Sequence, residues 1–410
     1  MIFKQVAGTV LVVATVFSTA AVMADSITSR YVNNGMVQGD SNCVQNNNCG
    51  QSDGCCFTWC NPAPQCGLGY NPSAHLQCGD RTCCSAMDNL GGRFDILYWR
   101  PCSDGLELGK EESFVSSLVG DDTVLTNESH AVDPNFKFDT GFRLGLSYNC
   151  PSNCWDIALN WTHFHAKANA DGAGGVSTTA PYTQFVSNWE RLSGQYPTEI
   201  ESRWTLDMDV LDLEFAQKYF VNHCFILRPF FGLRAARIDQ GYHVEAVRTG
   251  SSFDFMSNVD SRSDFRGIGP RAGMDLQIRL GCGVSLVGGA AASLLFGSFN
   301  RHSSEAFTQS GTSPFSEFNY DPHGGGPDRC TVTTADLGIG IMLEHCFECC
   351  GNMHPFALVF AWEQHAFYDL NHFNFAAEGL TANGTVNGIH DGKTGDLSMQ
   401  GLTVSAMIGF

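Results

Sequence analysis

Cysteine and histidine are the residues of this chain whose types and spacing could do chemistry. The 410 residues include 18 cysteines and 13 histidines. Nine cysteines crowd one short stretch: Cys43, Cys49, Cys55, Cys56, Cys60, Cys66, Cys78, Cys83 and Cys84. Zinc knuckles would repeat as paired C-x-x-C with a matching histidine pair, and neither occurs here. An exported chain with this usage reads instead as disulfide-bonded. Cys150 and Cys154, and Cys346, Cys349 and Cys350 of "CFECC", extend the disulfide candidates to fourteen. A C-x-x-C redox centre would need a thioredoxin-like βαβ pattern, which is absent, so "CFECC" reads as a crosslink. "HFH" puts His163 and His165 on one face of a strand, as a metal pair would need, but no third ligand is apparent. No nucleophile constellation stands out, and His302 and His323 sit in no hydrolase motif. The reading expects no enzyme activity, metal or cofactor.

Charged residues two apart form the second pattern. "WTLDMDVLDLEF", "ILRPFFGLRAARID" and "GIGPRAGMDLQIRL" alternate charge with apolar residues. On the polar face stand Arg143, Asn160, Asp207, Asp209, Asp212, Arg228, Arg234, Arg271, Asp275, Arg279 and Asp336, with Asp156, Glu214, Gln277 and Glu363 in the same parity. If that face encloses a lumen, an acidic strand beside a basic one gives a constriction with a transverse field, suited to ions and small polar solutes. The rival is a salt-bridge network that fills a narrow barrel and blocks flow.

The elements that must position these residues are strands. Ten are expected: 92–101, 136–149, 155–166, 203–218, 224–239, 265–280, 283–299, 330–344, 354–368 and 396–410. A hidden hairpin in 167–202 or 240–264 would raise the count to twelve. Long and short connections alternate without exception, as in an outer-membrane barrel with short periplasmic turns and long outer loops. Pro270 must take a ladder position that needs no N–H, or a bulge. In 203–218 the apolar parity slips from Trp204, Leu206 and Met208 to Leu211, Leu213 and Phe215, which predicts a β-bulge near Val210–Leu211. Tyr148, Trp155, Tyr219, Phe220 and Phe410 near one end, and Tyr98, Trp99, Trp204 and Trp362 near the other, are expected to form two aromatic girdles. The closing "GLTVSAMIGF" reads as the strand that seals the barrel against the first.

The compartment follows from the start of the chain. Residues 1–24 carry Lys4, an apolar run and small residues before Asp25, the pattern of a cleaved secretory signal peptide. Residues 25–91 are rich in Asn, Gly, Ser, Pro and Cys and form a separate Cys-rich, periplasmic segment. Residues 92–410 form the barrel. No later stretch would span a bilayer as a helix, so a membrane crossing requires a closed barrel. The net charge is −19, without basic clusters, which argues against nucleic acid as a partner.

"RFDILYWRPCSDGL", "GFRLGLSYNCPSNCWDIALNWT", "WTLDMDVLDLEF", "ILRPFFGLRAARID" and the terminal Phe resemble, in that order, the pore-forming major outer membrane protein family of Legionella, also represented in environmental Chlamydiae. The resemblance spans 92–410 and implies an integral outer-membrane β-barrel that conducts ions or small solutes. The segment 43–84 is outside that pattern. The expected function is an outer-membrane porin stabilised by disulfides. The alternative is a structural or adhesive envelope barrel without an open pore. Outer-membrane lipid is the expected partner, and a homo-oligomer and disulfide links to other envelope proteins fit the same reading.

Overall fold

The computed structural model describes residues 90–409, apart from 120–121, 150–154, 175–181, 188–196, 222–223, 250–253, 282, 310–315, 321–327, 350–351 and 374–393. Ten strands build the wall: β1 (Leu90–Ser103), β2 (Asp139–Asn149), β3 (Trp155–Ala173), β4 (Glu199–Gln217), β5 (Phe225–Arg248), β6 (Phe255–Gly281), β7 (Val284–Gln309), β8 (Asp328–Cys349), β9 (Asn352–His372) and β10 (Thr394–Gly409). Each pairs antiparallel with its sequence neighbours. The last pairs with the first, from Gly91↔Gly409 to Ser103↔Leu397. The sheet therefore closes as an all-β, ten-stranded barrel and leaves no unpaired edge in the wall. Among the described residues no helix is long and apolar enough to cross a membrane. The expected signal peptide and Cys-rich segment lie outside the described residues.

Alternation in sequence becomes alternation across the wall. On β8, Leu337, Ile339 and Ile341 point outward with half or more of their surface exposed, while Thr334, Asp336 and Met342 are buried inside. The same split runs through β1, where Phe94, Ile96 and Tyr98 are exposed and Asp95, Leu97 and Trp99 are buried. Exposed apolar side chains on this scale suit lipid rather than water.

The turns and ladders follow local chemistry. Gly281 and Gly283 have φ of 106° and 74°, a backbone that L side chains rarely adopt, and they flank the tight β6–β7 connection. Gly232 lets β5 lie close to β4, where a Cβ would collide with the Leu213 carbonyl. Pro270 sits where the β6–β7 ladder lapses between Ile268↔Phe296 and Arg271↔Ser293. Its missing N–H costs no hydrogen bond there.

Several elements differ from the sequence-based expectation. The stretch 240–264 holds no hidden hairpin in the wall. It continues β5 and β6 as one long hairpin, paired from Phe225↔Ile278 to Arg248↔Phe255. The strand Tyr182–Ser187 joins Gly109–Val119 and Asp122–Val132 in a separate three-stranded sheet, so the barrel keeps ten strands. β4 has no bulge. Its register runs unbroken from Trp155↔Gln217 to Ala173↔Glu199 against β3. What changes along β4 is the chemistry of the barrel interior. Trp204, Leu206, Met208 and Val210 face inward into an apolar layer, and farther along Asp212 and Glu214 face inward into a charged one. Leu211, by contrast, is exposed on the outside. Trp99 and Trp204 are correspondingly inside the barrel and not in a girdle, whereas Tyr98, Tyr148, Trp155, Tyr219 and Trp362 are exposed.

Candidate functional site in the barrel lumen

The interior holds a large apolar layer, a charged layer and a smaller apolar cluster of Val287, Met342, Ala357, Val359 and Met407. Toward the long connections it is apolar: Leu97, Trp99, Phe164, Trp204, Leu206, Phe265, Phe299 and Phe367 pack with Leu106, Leu108, Phe185 and Phe373. The last four come from connections between wall strands, so the loops fill this half of the barrel from above. The Tyr242 hydroxyl donates to the Leu106 carbonyl at 3.1 Å and ties one of these inserts to β5.

Below lies a continuous charged layer built from strand residues of one parity. Arg228 on β5 is fully buried and reaches three acids. Its Nη2 is 2.6 Å from Asp156 Oδ1, and its Nη1 is 2.6 Å from Asp275 and 3.3 Å from Glu214. Lys218 Nζ donates to Asn149 Oδ1 at 3.0 Å and stands 3.6 Å from Asp156. Six residues farther along β5, Arg234 grips Asp212 through both carboxylate oxygens at 2.7 and 2.8 Å, and its Nη1 is 2.9 Å from Asp336. Arg271 also donates to Asp336. Across the barrel, Arg143 donates to Asp95 at 3.1 Å and to both oxygens of Glu363 at 3.2 and 3.0 Å. His365 joins the two halves, with Nδ1 2.7 Å from Asp336 and Nε2 3.3 Å from Glu363. Aromatic faces border the layer. The Phe230 ring has the guanidinium carbons of Arg228 and Arg271 each 5.6 Å from its centre, and Trp99 holds Arg143 at the same distance.

Charges this deep require partners, because an ion taken from water without one costs several kcal/mol. The forked, bidentate contacts of Arg234 and Arg143 meet that need with fixed geometry. Beside the charged residues a cavity of about 160 Å³ remains, lined also by Gly289, Ala291, Gly338 and Gly340, with Gly289 paired to Asp275, Ala291 to Asp336 and Gly338 to Glu363. Small side chains on β7 and β8 leave room where β2, β5 and β6 carry arginines.

The sequence-predicted residues divide accordingly. Arg143, Asn160, Asp212, Arg234, Arg271, Asp275 and Asp336 line this cavity. Arg228 lies within the charged layer without lining it. Arg279 is partly buried, with Nε lacking a hydrogen-bond partner among the described residues. Asp207 and Asp209 do not face the lumen. With the β4 register unbroken they point outward, where Asp207 meets His165 at 2.5 Å and Asp209 meets His163 at 3.0 Å. Each histidine of "HFH" thus has its own carboxylate on the outer wall. His302 is exposed on β7, and His323 lies outside the described residues. Arg93, Asp95 and His365 belong to the charged layer and were not singled out from sequence. Their signal was parity: Arg93 and Asp95 alternate with Phe94, Ile96 and Tyr98. The side chains of the fourteen candidate cysteines lie outside the described residues.

These features define an outer-membrane β-barrel. The chain belongs to the family described as the Legionella pneumophila major outer membrane protein precursor, which it matches over residues 88–409. No curated protein sequence matches it. Among solved structures, it is similar to the outer membrane protease OmpT from Escherichia coli, at 13% identity and TM-score 0.34, covering 79% of this chain and 97% of that one. It is also similar to a Pseudomonas aeruginosa FadL homologue, at 8% identity and TM-score 0.28, covering 79% and 91%. A third is the P. putida toluene transporter TodX, at 6% identity and TM-score 0.20, covering 79% and 90%. The protein resides in the outer membrane.

Proposed function

We propose that this barrel is a narrow porin for ions and small polar solutes, with the charged layer as its selective section. The observation that carries the reading is the cavity of about 160 Å³ itself, where Arg143, Asp212, Arg234, Arg271 and Asp336 are interleaved with the small residues Gly289, Ala291, Gly338 and Gly340. A path squeezed between fixed opposite charges favours small hydrated ions and zwitterionic solutes. A second reading, a structural or adhesive barrel without an open path, is favoured by the apolar packing of Leu106, Leu108, Phe185 and Phe373 above that layer. Both accommodate the expected partners: outer-membrane lipid, a homo-oligomer, and envelope proteins linked through cysteines. Cys224, beside the β4–β5 turn, is disulfide-bonded, which supports a disulfide-stabilised short-turn end. The reading assigns no catalytic residue and no cofactor. The test is single-channel recording of the purified, folded protein in planar bilayers. Discrete, small conductance steps are expected. Their absence from preparations with verified barrel fold would remove the porin reading and leave the structural one.

A further inference from the structure

Asp369 is the one non-glycine residue with positive φ, 55°, among the described residues. It sits in the irregularity that shifts the β9–β10 register between Phe367 and Asn371. In a regular strand, residues three apart point to opposite faces. Here the bulge brings Asp369 and His372 together: His372 Nε2 donates to the Asp369 carbonyl at 2.9 Å, a bond that metal binding would replace, and stands 3.5 Å from Asp369 Oδ1. The neighbouring strand contributes a third group. The β8–β9 ladder ends at Thr333↔Tyr368, and Cys330, three residues beyond it, stands beside this bulge. The sulfur, carboxylate and imidazole ligand atoms all lie within 4.8 Å of one another.

We propose that Cys330, Asp369 and His372 form a divalent transition-metal site, suited to zinc, at the long-connection rim of the barrel. Thiolate, imidazole and carboxylate are the three ligand classes zinc takes, and three protein ligands leave a fourth position for water. With metal–ligand bonds of about 2.0–2.3 Å, tetrahedral ligand atoms stand roughly 3.3–3.8 Å apart. The Asp369–His372 pair already has that spacing, and the half-exposed Asp369 carboxylate can rotate to complete the set. Supporting contacts hold the ligands. Asp396 Oδ1 accepts the Asp369 backbone N–H at 2.8 Å, and the Phe299 ring lies 4.6 Å from the His372 ring. Outer contacts of this kind orient metal ligands. Binding displaces the thiol proton into solvent and pins the start of β8 to the end of β9.

The chain's many cysteines demand a residue-resolved readout. The folded full-length protein is alkylated with N-ethylmaleimide in detergent, with and without micromolar zinc, and labelling is followed per cysteine by mass spectrometry. Zinc should slow labelling of Cys330 and leave Cys102, the exposed thiol near the same rim, unchanged. His372→Gln and Asp369→Asn, each checked for barrel fold, should raise the zinc concentration needed for protection by more than about tenfold, because losing a ligand costs more than losing an outer contact, which alone costs about 10–100-fold. Labelling of Cys330 that ignores zinc overturns the site. So does protection that extends equally to Cys102, or that survives His372→Gln.

Discussion

At the scale of single residues, the charged layer decides what a substitution does. Arg228 is fully buried and serves Asp156, Asp275 and Glu214 together. Arg228→Met leaves Asp275 without its cation and takes one of two from Asp156 and Glu214, and breaking such a buried arrangement costs about 3–5 kcal/mol. Urea unfolding of the barrel in lipid vesicles, followed by tryptophan fluorescence, should show a loss of that order. Arg237→Met offers the contrast. The Arg237 side chain is more than half exposed and its partner Asp239, at 2.6 Å, is only two residues away, so the same unfolding curve should stay unchanged within error. Parity alone exposed most of the interior charges in the sequence, because strand alternation maps directly onto inside and outside. It failed at Asp207 and Asp209. Their outward placement depends on where the apolar layer gives way to the charged one, and an inward-facing Trp204 or Leu206 looks like a lipid-facing one in sequence.

At the scale of elements, the ten strands were legible because apolar residues alternate with polar ones over long runs and connections alternate in length. The lengths of β5 and β6 were not. Beyond Asp239 they continue with polar residues on the outer face, a pattern that reads as loop when lipid is the expected outer solvent. The inserts were also hidden: Leu106, Leu108 and Phe185 lie in polar stretches, and nothing local shows that they reach the barrel core. On the porin reading proposed above, they would govern access to the lumen. Phe185→Ala, which removes a fully buried ring from the apolar layer, should raise mean conductance and shorten closed periods in planar bilayers. An unchanged record would place the conducting path away from this insert.

At the scale of the whole molecule, pairing of β1 with β10 closes the wall among the described residues, so on the porin reading a solute passing through the interior meets the charged layer. The central claim is that this layer is the selective section of the path. Two carboxylates three residues apart on β4 test it: Asp212 faces the lumen and Asp209 faces outward against His163. The measurement is the reversal potential under a salt gradient for Asp212→Asn and Asp209→Asn, each with verified barrel fold. Asp212→Asn should shift selectivity toward anions, because Arg234 and Arg271 lose a counter-charge, while Asp209→Asn should match the parent. Equal shifts in both variants, or none in either, would contradict the central claim.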